Sequence, residues 1–501
     1  MTTKQKIASV SRMRSRAEQN EGELHIFSSK ANKNGLFLFH RDLRIHDNTG
    51  FIEACKQCSR LITCFIFTPE QVGKHNSYKS ANAIAFMIES LAELAHTIHS
   101  AGGELCLFYG KTEDILKDLV KTHNIDTVFF NRDYSPYAKD RTQSVTDLCN
   151  TMNVECITSS DYYLYEPGSV KTGGGGYYKK FTPFYDTVLP IDVPKPQKVS
   201  AKHLACLKHC ANPDKISVKR AIELFGQGSV PGQGRGQRLV EGGRTNALAL
   251  LKRGLTSQAH YDATRDFLTN STTGLSAAIK FGCISIREIY HAFLAKYGRK
   301  FGLIRELIWR EFFAHVLHNF PEVLRGSYQP KFRHIKWLTR SEHLKAWKEG
   351  RTGFPVVDAC MRQLNNTGYM HNRGRMIVAN FLVKTLLIDW RLGEQYFAQK
   401  LTDYDPASNN GNWQGISGTG VDMKPYFRDM NPWIQSAKFD QDAMFIKKWV
   451  PELSHVLPRD IHKWSIAHKV EKYKDIRYPK PIVDYDEQKE KMLAMYEKAL
   501  Q

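Results

Sequence analysis

Four short stretches concentrate the residues able to do chemistry. In Glu306-Leu307-Ile308-Trp309-Arg310-Glu311-Phe312 a carboxyl and an indole lie three residues apart, so a helix places them on one face. Such a pair suits a flat ligand with polar edges, such as a base. It suits equally well an amphipathic helix that carries Glu306 in a surface salt bridge. In Tyr369-Met370-His371-Asn372-Arg373-Gly374-Arg375-Met376, Arg373 and Met376 share one face, with Asn372 and Arg375 one step round, ahead of an apolar helix running through Ile388. Arginines at a helix mouth fit phosphates or a buried acid. The turn from Leu401 to Trp413 packs Asp403, Tyr404, Asp405, three asparagines including Asn409, and an indole between apolar helices. So many polar groups need partners, and Arg375 with Asp403 is the natural pair. Upstream, Tyr261 to Asp266, with Arg265 among them, leads to Thr272-Thr273-Gly274-Leu275-Ser276 at a predicted helix start. Hydroxyls and free N–H groups there suit a pyrophosphate, and plain N-capping explains them as well.

These stretches fall in one half of the chain. Short apolar runs at Leu36–Phe39, Leu61–Phe67, Leu105–Phe108 and Thr127–Phe130 alternate with helical patterns. Ile84, Met87, Ile88, Leu91, Leu94 and Ile98 recur at helical spacing, and a second helix fits Thr112–Lys121. The alternation predicts an α/β, Rossmann-like domain over residues 34–165, with a parallel sheet and right-handed crossovers. The first strand runs into His40-Arg41-Asp42-Leu43-Arg44 and not into a glycine-rich dinucleotide fingerprint. Residues 166–245 hold the glycine runs Gly173–Gly176 and Gly226–Gly236 and read as an interdomain linker. From residue 246 to 501 strand signals vanish and helices dominate. All eight tryptophans, beginning at Trp309, lie in that part.

Lys plus Arg total 71 against 51 Asp plus Glu, a net charge of +20 that points to a polyanionic partner such as nucleic acid. Residues 1–33 read as a basic, solvated tail. Ten thinly spread cysteines suit a reducing compartment inside the cell, cytoplasm or nucleus, and not a secreted disulfide framework. Cys55-x-x-Cys58 has no second pair and nothing completes a site around His203–Cys210, so no metal is expected. No apolar run reaches the roughly 18 residues of a membrane span.

The order FLFHRDLRIHDN, ELIWREFF, GFPVVDACMRQLNNTGYMHNRGRMIVANFLVKTLLIDWR, DYDPASNNGNWQ and GTGVDMKPYFRDMNP resembles the DNA photolyase and cryptochrome family over nearly the whole chain. Within it, the microbial-type (class I) enzymes that split cyclobutane pyrimidine dimers are the most similar. The resemblance implies an α/β antenna domain followed by an all-helical FAD-binding domain. It implies that Tyr261, Thr272, Thr273, Leu275 and Ser276 meet the FAD phosphates, and that Asp403, Tyr404 and Asp405 run along the flavin, with Arg375 pairing Asp403. Asn409 matches the asparagine facing flavin N5. Trp413, Trp390 and Trp337 match, from the flavin outward, the chain that relays electrons during photoreduction. Glu306 would hydrogen-bond a flipped-out dimer and Trp309 would wall its pocket, with Asn372 and Met376 lining it. Arg265, Arg373, Arg428 and Gln435 would meet UV-damaged DNA. Reduced FAD excited by blue light would supply the electron that splits the ring, and the protein would act as a monomer.

Two positions depart from the pattern. Met376 stands where the (6-4) photoproduct enzymes carry an essential histidine, which argues against that activity. Gly415 stands where dimer enzymes usually place a second tryptophan, a loss of roughly 1–3 kcal/mol of stacking on the lesion, with Trp433 as the available substitute. The rival from another class is a cryptochrome-like blue-light photoreceptor without repair. The family's first domain often carries a second chromophore, methenyltetrahydrofolate or an 8-hydroxy-deazaflavin. The matching loop Phe130–Tyr134 leaves its identity open.

Overall fold

The computed structural model describes residues 33–226, 239–422 and 425–501. The basic tail, apart from Lys33, and the second glycine run beyond Gly226 lie outside the described residues. Five strands, Asn34–Phe39 (β1), Arg60–Phe67 (β2), Leu105–Tyr109 (β3), Thr127–Asn131 (β4) and Glu155–Ser159 (β5), pair in parallel in the order β3-β2-β1-β4-β5. The first four match the apolar runs. β5 has no such run: unlike β3, the other edge, it is little covered, and its residues are only half-buried or exposed. The periodic segment forms the helix Ala81–Ser100, which starts where the Ser80 hydroxyl accepts from the Ala83 N–H at 3.2 Å. Its buried face is the predicted one, apart from the half-buried Met87.

Strand order reverses between β1 and β4, so the loops after their C-terminal ends splay apart and leave a crevice. The HRDLR segment after β1 closes that crevice against the helical part. Leu43 N–H donates to Phe281 O at 3.0 Å, and buried Arg44 pairs with Asp161 at 2.6 Å. From the other side Arg287 reaches Asp47 at 2.9 Å and Asp161 at 2.8 Å. Gly282, at φ +64, comes so close to the Arg41 carbonyl that any Cβ there would collide with backbone.

Residues 166–226, read as an interdomain linker, keep an exposed turn at Gly173–Gly176 but otherwise carry packed elements. They carry the helix Phe181–Val188, whose Phe181, Phe184 and Val188 are buried, and further short helices. Leu207 bridges to Leu61 on β2 and Ile216 to Leu107 on β3. The glycine content hid this because the apolar residues are spread over several short elements, each too brief to show a period.

Among the described residues no strand lies beyond Ser159. The helix expected through Ile388 is regular only over Asn372–Asn380. It widens into a π turn over Phe381–Thr385, and Leu387 adopts φ +57, which ends it. No helix is long and apolar enough to cross a membrane, and no group of three or more His, Cys, Asp or Glu converges as metal ligands among the described residues.

Candidate active site

The chemistry-bearing stretches meet at two adjoining cavities in the helical half. The larger, about 630 Å³, is lined by Glu306, Trp309, Asn372 and Met376 on one side and by Asp403, Asn409, Trp413 and Gly415 on the other. The smaller, about 300 Å³, is lined by Tyr261, Thr272, Thr273, Leu275, Ser276 and Tyr369. Both share Arg375, Asp403, Asp405, Glu306 and Ser408, so together they form one bent space. Its size and mixed lining suit a cofactor of dinucleotide class.

Each wall has a local cause. Glu306 and Trp309 lie one turn apart on the helix Gly302–Asn319. Behind Trp309 the buried Phe181 ring stacks at 3.6 Å between centroids and 4° between planes, and Phe181 is not part of the cavity lining. The indole is also packed by Phe313, 5.5 Å away at 28° between planes, which lines the cavity beside it. Asp405 N-caps the helix Pro406–Ser417 by accepting from the Ser408 N–H at 2.9 Å, and also accepts from Arg41 Nη1 at 2.9 Å. Burial pushes the Asp405 carboxyl up, but Arg41 and Arg310 outweigh it and hold it below its usual value. Asp403 is similar: burial pushes it up, and Arg375, whose Nη2 donates to Oδ2 at 2.8 Å, holds it below its usual value. The pair expected from the sequence is therefore formed. Asp403 Oδ1 is buried without a partner at the junction of the two cavities. A buried acceptor left open is costly unless a ligand donor meets it, which fits a polar chain such as the ribityl of FAD.

Asn409 Nδ2 donates to Glu394 Oε1 at 2.9 Å and to the Glu394 carbonyl at 3.2 Å. Both partners are acceptors, so the amide cannot be flipped, and Oδ1 is left as its acceptor in the cavity. Glu394 is buried, and burial raises its carboxyl above the usual value. Trp413 packs on Gly393, where any Cβ would strike the indole, and lies edge-on to Phe397 at 5.0 Å. Trp413 and Trp390 are buried, whereas Trp337 is half-buried and edge-on to Tyr496 at 6.1 Å.

Arg265 and Arg373 stand at the cavity rim. Arg265 pairs with Glu306 at 2.5 Å and Arg373 with Asp266 at 2.6 Å. Glu306 thus belongs both to the ligand cavity and to a salt bridge. Burial raises the Glu306 carboxyl above its ordinary value, with Arg265 opposing. Arg428 and Gln435 do not line the cavity. Trp433 does not either: its ring stacks on Phe354 at 4.6 Å, so it is no substitute for a tryptophan at Gly415.

A further cavity of about 480 Å³ lies at the C-terminal ends of β1, β2 and β4. Asp133 and Tyr134 of the Phe130–Tyr134 loop line it, and Lys280, Tyr404 and Asp405 separate it from the cofactor space. Burial pulls the Lys280 amine down to about 8, with Asp405 and Asp403 opposing. The sequence reading missed Phe181, Glu394, Arg41 and Lys280. Only the HRDLR segment offered a signal, as a charged run directly after a buried strand.

Residues 35–200 match the family model of DNA photolyase, and residues 303–498 match that of the FAD binding domain of DNA photolyase. A deoxyribodipyrimidine photo-lyase of Synechococcus is 35% identical, covering 92% of this chain and 96% of that protein. An archaeal photolyase of Sulfolobus tokodaii, solved with two FAD molecules, is 37% identical with a TM-score of 0.81, covering 93% of this chain and 100% of that one. A Synechocystis cryptochrome superposes with a TM-score of 0.82 at 25% identity, covering 93% of this chain and 100% of that one. With its two cavities, its full-length match and its paired domains, this chain belongs to the DNA photolyase family.

Proposed function

We propose that this protein repairs cyclobutane pyrimidine dimers in DNA, using light, as a monomer. The observation that carries the reading is the larger cavity: Glu306, Trp309, Asn372 and Met376 face Asp403, Asn409 and Trp413 across a space of about 630 Å³ that would receive the flipped-out dipyrimidine. Bound FAD, reduced and excited by blue light, supplies the single electron that splits the cyclobutane ring. The protein's own residues position and select. Trp309, fixed by Phe181 and Phe313, walls the lesion pocket, and Glu306 hydrogen-bonds the pyrimidine edge. Asn409, fixed by Glu394, presents an acceptor toward the flavin. Tyr261, Thr272, Thr273, Leu275 and Ser276 line the phosphate end, and Arg375 is tied to Asp403 beside it. Trp413, Trp390 and Trp337 form the relay to the surface. Arg265, Arg373, Arg428 and Gln435 meet the DNA, helped by the +20 net charge. Met376 in place of a histidine leaves no base for (6-4) repair. The site is complete within one chain, which supports the monomer. The cavity beside β1 and β4 is the place for a second chromophore. The thinly spread, mostly buried cysteines suit a reducing compartment.

The test is direct. Purified, reduced protein is expected to carry FAD and to remove dimers from DNA under blue light but not in the dark. Glu306→Ala is expected to lower repair yield more than FAD content. Wild-type protein that leaves dimers intact in the light would overturn the reading in favour of a photoreceptor.

A further inference from the structure

Both arginines at the cavity rim that are assigned to DNA are occupied by carboxylates: Arg265 by Glu306 and Arg373 by Asp266. In the Arg265–Glu306 pair both partners are about one-third exposed, so a phosphate has access to Arg265, whereas Arg373 is the buried side of its pair. We propose that Arg265 is a DNA-operated latch on Glu306: a DNA phosphate draws Arg265 away, and Glu306 takes up a proton from solvent as the lesion fills the cavity. The inference rests on the proposed function, since it takes Glu306 to face the lesion.

The groups facing Glu306 make the exchange one-sided. On its own helix stands Arg305, and on the neighbouring segment stand Tyr261, Asp262 and Arg265. Asp262 repels charge on Glu306, and burial penalises it; Arg265 is the larger of the two cations that offset them. Across the cavity the other cations have partners already. Arg373 is on Asp266 and Arg375 is on Asp403, while Arg310, one turn beyond Glu306 on its own helix, pairs with Glu311 at 3.1 Å. Of the other carboxylates of the lining, Asp403 and Asp405 are held by Arg375 and Arg41, Asp422 accepts from the Phe181 N–H at 3.0 Å, and all three add negative charge of their own. Once Arg265 has left and the lesion has displaced water, a charged Glu306 has lost its nearest counter-charge in a closing, low-dielectric space. Protonation removes that cost.

The protonated form is also the better ligand. A pyrimidine edge sets an N–H donor beside a carbonyl acceptor, and a neutral carboxyl offers an acceptor and an O–H donor side by side. A carboxylate offers acceptors alone and can serve only the N–H. Before DNA arrives, the ion pair keeps Glu306 charged and turned to Arg265. The proton returns to solvent when product leaves and Arg265 closes again.

Proton uptake on binding tests this. Holoprotein is titrated calorimetrically in the dark with a duplex carrying one thymine dimer, near neutral pH, in two buffers of different ionisation enthalpy. Wild type is expected to take up a measurable fraction of a proton, up to one per complex. Glu306→Gln is expected to lose that uptake, since the amide offers the donor and acceptor of the neutral carboxyl with no titrating proton. Arg265→Lys is expected to retain the uptake, and Arg265→Met to show less because its Glu306 starts with no partner. Equal uptake in wild type and Glu306→Gln overturns the latch, and so does equal uptake in wild type and Arg265→Met. The two Arg265 variants decide alone if Glu306→Gln does not load FAD. Wild type that neither prefers the dimer duplex nor repairs it in light would instead overturn the proposed function.

Discussion

Gly415→Trp is the substitution with the most to say about the lesion pocket. Gly415 sits within the helix Pro406–Ser417 and lines the larger cavity, and a Cβ built on it meets nothing within 4 Å. Any side chain placed there enters open space opposite the wall that carries Glu306 and Trp309. The alanine variant separates two effects. Gly415→Ala removes the entropic cost of a mid-helix glycine, worth about 0.5–1 kcal/mol of stability. It adds no stacking surface. The indole then adds base stacking of about 1–3 kcal/mol, on the order of 5- to 150-fold in Kd relative to alanine. That scale comes from alanine replacements and already includes the cost of ordering the ring. The assay is fluorescence anisotropy in the dark, with a duplex carrying one thymine dimer and its undamaged twin at one salt concentration, because phosphate contacts make both affinities salt-dependent. Gly415→Trp is expected to raise the ratio of dimer to undamaged affinity over Gly415→Ala. An unchanged ratio would refute the placement of the lesion against this helix.

Three further outcomes follow from the site. Trp413→Phe is expected to slow photoreduction of oxidised protein while repair by pre-reduced protein stays nearly intact; equal loss of both in steady illumination would remove Trp413 from the relay. Glu394→Leu removes the shorter of the two bonds that hold the Asn409 amide and leaves only the one to the residue-394 carbonyl, so the flavin's one-electron potential, read by spectroelectrochemistry, should shift while FAD content holds; an unmoved potential would show that the Glu394 carboxyl does not act through Asn409. Burial raises the Glu311 carboxyl to about 7, against the pull of Arg310 and the N–H groups of Leu164 and Tyr165. The folded state therefore holds more protons than the unfolded one between the ordinary 4.5 and about 7, and stability falls as pH rises through that window. Glu311→Gln keeps an acceptor for both N–H groups and is expected to flatten that part of the denaturation profile; an unaltered slope would count against a protonated Glu311.

The sequence by itself determined the two-part architecture, because strand and helix periods are local properties of apolar spacing. It also placed Glu306 and Trp309 on one face and anticipated the Arg375–Asp403 pair. β5 escaped because a little-covered edge strand need not be apolar, and residues 166–226 escaped because several short packed elements show no period. Tertiary structure alone decided how the larger site is wired. Arg41 reaches Asp405 across 364 positions, Phe181 backs Trp309 from the supposed linker, Glu394 orients Asn409, and Arg265 occupies Glu306. Such pairings depend on which faces the folded chain brings together, and no spacing along the sequence encodes them. The helix that carries Glu306 was legible from its residues; the cation that occupies its carboxylate was not.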